Sequence, residues 1–158
     1  MSVLYLASTS PRRAELLRQA GIPFTLLPVA TDETSAMGAV LISPERLVET
    51  AAVKKLRHAL PSVAERDAVV LAADTIVVSP DGAVLGKPRD TADAVRMLES
   101  LSGKAHRVLT GVAMGRPASE NFNVFNECTE VVFRKLDREE IEAYVATGEP
   151  MDKAGAYG

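Results

Sequence analysis

The feature that most constrains the fold is the nearly continuous apolar stretch AVVLAADTIVV at residues 68–78. It is too short to span a membrane as a helix. A valine-rich run of this length is typical of a central β-strand that is buried on both faces. Such a strand needs other layers to cover both faces, and helical patterns flank it along the chain. The sequence therefore predicts an α/β fold.

Asp74 is the one ionisable residue of this stretch. An isolated carboxylate in an apolar strand is unfavourable unless it is paired, hydrogen-bonded or bound to a metal. It could hold a divalent cation or accept a proton from water as a general base. The structural alternative is that Asp74, like Thr75, accepts hydrogen bonds from the end of a loop. We favour the functional interpretation.

Shorter patterns complete the predicted topology. Strands are expected at residues 3–7, 24–27, 83–85, 105–114 and 123–136, and a loop at 28–42. Helices are expected to begin at the caps Ser10, Ser43, Thr91 and Asp137, the last completing a capping box with Glu140.

The charge balance and cysteine content exclude several classes of protein. The net charge is −3, which argues against general binding of nucleic acid or of a membrane surface. The single cysteine, Cys128, cannot form an internal disulfide and is expected to be a small core residue. With no leader or membrane segment visible, we expect a cytoplasmic protein.

The stretch STSPRR at residues 8–13 places two arginines in the first turn of a helix. The helix dipole disfavours a cation there by roughly 0.3–1 kcal/mol. A bound polyanion would remove that penalty, because a helix N-terminus and arginine side chains both bind phosphate. Alternatively, Arg12 and Arg13 are solvated or pair with carboxylates such as Glu15.

The remaining candidates for chemistry are a lysine motif and two histidines. Lys87, in LGKPR, follows the Asp81-Gly82 turn and should lie near the strand of Asp74. The stretch GAVLGKP is not a P-loop, because it is one residue short and has proline at the magnesium-binding position. His58 and His106 have no metal-ligand spacing and no nucleophile to pair with.

Taken in order, six motifs resemble those of Maf proteins, a family of nucleotide pyrophosphatases also known as septum-formation inhibitors. They are LASTSPRRAELL, the acidic pair Asp32-Glu33, AADTIV, GKPRD, LSGKAHRVLTGV and GEPMDKAGAYG, and the resemblance spans residues 3–158. It implies a fold similar to inosine-triphosphate pyrophosphatases, with an elongated mixed sheet, flanking helices and a central cleft. Residues 1–158 would form one domain in two lobes.

The resemblance also implies roles for individual residues. Phosphate and substrate binding would fall to Ser8, Ser10, Arg12, Arg13 and Thr75. Metal binding would fall to Glu33 and Asp74, and catalysis to Asp74, Lys55 (rather than Lys54) and Lys87.

The implied reaction converts a nucleoside triphosphate into its monophosphate and pyrophosphate with Mg²⁺, Mn²⁺ or a similar cation. Asp74-Thr75 and DKAGAYG resemble the branch that acts on dTTP and UTP, with modified or non-standard nucleotides as further substrates. A non-catalytic nucleotide-binding regulator of cell division is the alternative, and a nucleotidyl- or phosphotransferase is a weaker one. A homodimer is compatible with the resemblance.

Maf proteins continue beyond AGAYG with Ile-Gln-Gly, further strands and a terminal helix. The sequence ends at Gly158. The expectation is therefore a domain that lacks these elements and the glutamine linked to pyrimidine choice. Either the sequence is part of a longer chain or these elements are lost. In the second case an open strand edge and an aggregated or altered assembly would follow.

Overall fold

The computed structural model describes residues 2–29 and 42–158. Its β-strands are β1 (Leu4–Ala7), β2 (Thr25–Leu27), β3 (Val69–Val78), β4 (Val84–Leu85), β5 (Ala105–Gly115) and β6 (Asn123–Val132). Its α-helices are α1 (Pro11–Gln19), α2 (Pro44–Ala59), α3 (Thr91–Leu101) and α4 (Arg138–Ala146). Short 3₁₀ turns occupy Leu60–Ser62, Glu149–Asp152 and Ala154–Ala156.

The strands form a mixed sheet in the order β2-β1-β3-β5-β6, with β4 paired to β3. β1 runs parallel to β2 and to β3, whereas β3 and β4 are antiparallel. The register places Tyr5 opposite Val70 and Val77 opposite Leu85. The predicted α/β class and the central position of the apolar strand are confirmed.

The chain divides into two compact units, and β3, β5 and β6 each contribute residues to both. The first unit comprises the chain up to Asp74 together with Thr110–Asn126, and the second comprises Thr75–Leu109 together with Glu127–Gly158. Each unit has its own apolar core. The first is built around Leu56, Val70 and Ala113, and the second around Val77, Leu98 and Ile141.

Helix starts show where sequence signals are reliable. The Ser43 side chain accepts from the Arg46 N–H at 3.3 Å, so this predicted cap is confirmed. For α3 the prediction was wrong by one residue, because Asp90, not Thr91, accepts from the Asp93 N–H. Ser10 and Asp137 occupy N-cap positions, but neither side chain makes a capping hydrogen bond.

The last strand differs from its prediction. β6 ends at Val132 rather than at residue 136. It lies at one end of the strand order, and most of its side chains are exposed. Cys128 is consequently exposed, so its predicted place in the core was wrong. Within residues 2–29 and 42–158, no helix is both long enough and apolar enough to cross a membrane.

Candidate active site

Asp74 is paired with a cation inside the first unit. The Lys55 ammonium, on α2, donates a hydrogen bond to Oδ1 of Asp74, on β3. Only 15% of the Lys55 side chain and 23% of the Asp74 side chain are exposed. Such partial burial strengthens the attraction relative to an ion pair in open solvent. The carboxylate that interrupts the apolar strand therefore has the partner that its position requires.

The helical period of α2 explains why Lys55 reaches this position. The helix buries a stripe formed by Val48, Ala52, Leu56 and Ala59. Residue 55 lies three positions after Ala52 and next to Leu56, so it borders the buried stripe. Lys54, one position earlier, is exposed.

Arg13 joins the start of α1 to the same strand. Its guanidinium donates to the carbonyl oxygen of Ala73 at 2.8 Å and lies 3.4 Å from Oγ of Ser8. Ser8 is buried, and its Oγ also accepts from the Ser10 N–H at 3.0 Å. The serine thus fixes the turn between β1 and α1, and it brings Arg13 to the residue that precedes Asp74.

The other arginine of the motif has a different environment. Arg12 is exposed, and the first turn of α1 contains no acidic residue. Glu15, the alternative partner considered above, accepts from Arg18 at 3.4 Å and from Gln19 at 3.3 Å. The helix start therefore carries one arginine held against the strand and one directed to the surface.

The remaining predicted site residues are distributed as follows. Thr75, which follows Asp74 in β3, begins the second unit, and the exposed Lys87 lies in the same unit between β4 and α3. β4 pairs with β3 as the turn signal predicted. Asp32 and Glu33 lie outside the described residues.

Comparison with known proteins places the chain in a family. The family model described as Maf-like protein matches residues 3–158. The chain belongs to the Maf family.

Similar proteins carry a common name. The dTTP/UTP pyrophosphatase of Symbiobacterium thermophilum is 55% identical over 158 residues, which cover 100% of this chain and 77% of that protein. The protein of the same name from Moorella thermoacetica is 49% identical and is covered to 78%. That of Pelotomaculum thermopropionicum is 47% identical over 157 residues and is covered to 79%, with 99% of this chain aligned.

A solved structure shows the fold independently of sequence. The Staphylococcus aureus Ham1 protein superposes with a TM-score of 0.55 at 13% identity, covering 82% of this chain and 70% of that one. At so low an identity the likeness concerns the fold alone. It agrees with the mixed sheet and flanking helices of this Maf-family chain.

The donor set suits a cation that arrives with a phosphate ligand. Among the described residues, no group of three or more His, Cys, Asp or Glu side chains could hold a metal ion. Magnesium is usually bound by one or two carboxylates plus substrate phosphates and water. The partly exposed carboxylate of Asp74 fits that mode.

Sequence reasoning missed two contacts of this Maf chain. The Arg13 bond to the Ala73 carbonyl joins residues 60 positions apart and involves a main-chain acceptor, which no motif reveals. His106 was given no role, yet its Nε2 lies 2.6 Å from the Tyr157 hydroxyl. Each of the four residues in these two contacts lies in a motif that carries the family resemblance. Membership in those motifs was the one sequence signal that could have drawn the contacts to notice.

Proposed function

We propose that this Maf-family chain hydrolyses dTTP and UTP to the monophosphate and pyrophosphate. The observation that carries the proposal is the Lys55–Asp74 pair, with Arg13 anchored on the adjacent residue of the strand. The names of the similar proteins support the choice of substrates.

In the proposed reaction, a water oxygen attacks the α-phosphorus and the bond from that phosphorus to the bridging oxygen breaks. Pyrophosphate leaves with the bridging oxygen. Asp74 accepts a proton from the attacking water, and Lys55 holds its carboxylate in a fixed orientation. Arg12, Arg13 and Lys87 offset the charge of the triphosphate. Ser8 and Ser10 shape the turn that presents the arginines, and Thr75 contacts the substrate next to Asp74.

A divalent cation such as Mg²⁺ or Mn²⁺ fits this scheme, with Asp74 and Glu33 as its protein ligands. When bound, it supplies positive charge beside the phosphate oxygens.

The carboxylate distinguishes catalysis from simple binding. A site that only binds a triphosphate gains nothing from Asp74, because a carboxylate repels phosphate oxygens. A carboxylate in the central strand is therefore better explained by proton transfer or cation binding. This argument favours the enzyme over the non-catalytic regulator considered above.

The test is product analysis with a panel of nucleoside triphosphates, with Mg²⁺ and then Mn²⁺, in water enriched in ¹⁸O. We expect pyrophosphate release from dTTP and UTP, with the label in the monophosphate because water attacks the α-phosphorus. Label in inorganic phosphate would instead indicate attack at the γ-phosphorus. Nucleotide binding without any product would support the regulator.

A further inference from the structure

The segment that ends the DKAGAYG motif forms a constrained turn in the second unit. Gly155 has φ +70°, and a Cβ there would lie 2.8 Å from Cγ2 of Val77. Only glycine satisfies both the backbone angle and this close approach. The next residue, Ala156, is also left-handed, with φ 62°, although it is not glycine.

The strained residue is held by its surroundings. Ala156 is fully buried, and its N–H donates to the Lys153 carbonyl at 3.1 Å. A left-handed alanine is unfavourable by roughly 1–2 kcal/mol. Such a conformation persists where neighbouring contacts determine it, and these sites are frequently functional.

The contacts on Tyr157 fix one end of this turn. Nε2 of His106, a residue only 3% exposed, lies within hydrogen-bond distance of the Tyr157 hydroxyl, at 2.6 Å. Phe133 packs edge-on against both rings, at 4.9 Å from His106 and 4.7 Å from Tyr157 between ring centroids. The phenol is thus held both by its ring and by its hydroxyl.

The other contact of the turn reaches the loop that carries Lys87. The Gly155 N–H donates to the carbonyl of Gly86 at 3.0 Å. Gly86 directly precedes Lys87, and the buried Pro88 directly follows it. Proline also restricts the backbone of the residue before it. The main chain of Lys87 is therefore fixed on both sides.

We infer that His106 and Tyr157 are positioning residues for Lys87, acting through the Gly155–Gly86 hydrogen bond. The inference rests on the proposed function, in which Lys87 offsets the charge of the triphosphate. The hydrogen bond between the side chains fixes the turn, the turn fixes the Gly86 carbonyl, and the carbonyl fixes where the lysine leaves the chain. Small displacements of a charged group lower the rate substantially.

A purely structural role predicts something different. Tyr157→Phe keeps the three-ring packing and removes only the hydroxyl. If the hydroxyl served the core alone, its removal would lower the melting temperature. Any effect of its removal on kcat/KM would then be the same with and without Lys87.

The test is a double-mutant cycle in the full-length protein. Tyr157→Phe is expected to lower kcat/KM for dTTP about tenfold when Lys87 is present and less than about twofold in a Lys87→Ala background. Tyr5→Phe is the matched control, because its hydroxyl donates to the exposed Glu65 at 3.1 Å and both residues lie in the first unit. It should leave kcat/KM unchanged. The same cycle with His106→Gln gives an independent measurement. The glutamine amide nitrogen can approach the Nε2 position, so His106→Gln should lower kcat/KM less than His106→Leu does.

Two results would overturn the inference: an equal loss in both backgrounds, or no loss from Tyr157→Phe. The proposed function is tested separately by the wild-type protein. If the wild type releases no pyrophosphate, the cycle is measured on the dissociation constant for dTTP by calorimetry. Coupling between Tyr157→Phe and Lys87→Ala in that constant would still support positioning, and additive effects would contradict it.

Discussion

The Arg13 guanidinium donates to the main-chain carbonyl of Ala73, the residue immediately before Asp74. An arginine has five N–H donors, and planar guanidinium groups suit the binding of phosphate oxygens. One side chain of α1 thereby links the helix start to the strand that carries the carboxylate. The two arginines of the motif are consequently not equivalent.

Arg13→Ala should therefore impair both the fold and the reaction. The Ala73 carbonyl loses its donor, which costs about 1–2 kcal/mol in the free energy of unfolding, and the triphosphate loses a bidentate partner. We expect a higher KM, a lower kcat and a lower melting temperature. Arg12→Ala, at the exposed position, should change KM while leaving the melting temperature within about a degree. Equal losses of stability in both variants would contradict the distinction.

Asp74→Asn should abolish turnover while dTTP binding largely survives. The amide preserves the shape of the side chain but cannot accept the proton from water. A loss of about 10²–10⁴-fold in kcat is expected for a general base. Pyrophosphate release and calorimetric dTTP binding measure the two effects separately. Asp67→Asn, at an exposed position, is the control, and a near-normal rate in Asp74→Asn would show that the carboxylate is structural.

Lys55→Met tests the partner of the carboxylate, and Lys54→Met is the adjacent control. Removing the ammonium leaves Asp74 partly buried without its ion pair, so both kcat and the free energy of unfolding should fall. We expect at least about a tenfold loss in kcat, because the base is no longer oriented. Lys54→Met should stay within about twofold of wild type in steady-state assays. Equal kinetics for the two variants would remove Lys55 from the site.

Local chemistry made much of the fold predictable. Prolines after Ser10 and Ser43 marked helix starts, because proline suits the first helical position. The apolar run gave the central strand, since continuous β-branched residues suit burial on both faces. Neither the end of β6 nor the exposure of its side chains was predictable in this way. Its exposure depends on its place in the strand order, which residue patterns do not encode.

The candidate site was likewise predictable in its residue types but not in its contacts. Asp74 was identifiable from the sequence because an unpaired carboxylate is unfavourable in an apolar strand. The contacts that orient it, from Lys55 and through Arg13, join distant parts of the chain. Such contacts arise from tertiary packing. The sequence indicated the residue types and the resemblance indicated their roles, but neither determines the distances between side chains.

Asp93 should contribute to stability through the start of α3. Its carboxylate is buried and accepts from Arg96 at 2.6 Å and from the Arg89 N–H at 3.1 Å. These bonds, Arg96 first, lower the pKa of Asp93 from 3.8 to about 2. Because the folded state binds this proton less tightly, the stabilisation is complete above pH 3.8 and is lost as the pH falls towards 2.

We expect Asp93→Asn to lower the free energy of unfolding at pH 7 by about 1–2 kcal/mol. Asp90→Asn is the matched control, because asparagine caps a helix as well as aspartate does. Urea titrations at pH 7 and pH 2 measure both variants. If the difference between Asp93→Asn and wild type were as large at pH 2 as at pH 7, the carboxylate charge would not be the cause.

His106 should make stability fall in mildly acidic solution. Burial lowers the pKa of its imidazole below 6.5, and the Lys104 carbonyl opposes this only in part. Among the described residues, no hydrogen bond of acceptable geometry reaches the buried Nδ1. The unfolded chain therefore binds this proton more tightly than the folded one. The contribution is complete above pH 6.5 and decreases as the pH falls through the folded-state pKa.

Melting temperatures of the wild type should accordingly drop between pH 7.5 and pH 5.5. His106→Gln should show a shallower pH dependence over this interval, while His58→Gln, at an exposed position, should keep the wild-type dependence. An identical dependence in His106→Gln and wild type would mean that another group titrates on unfolding.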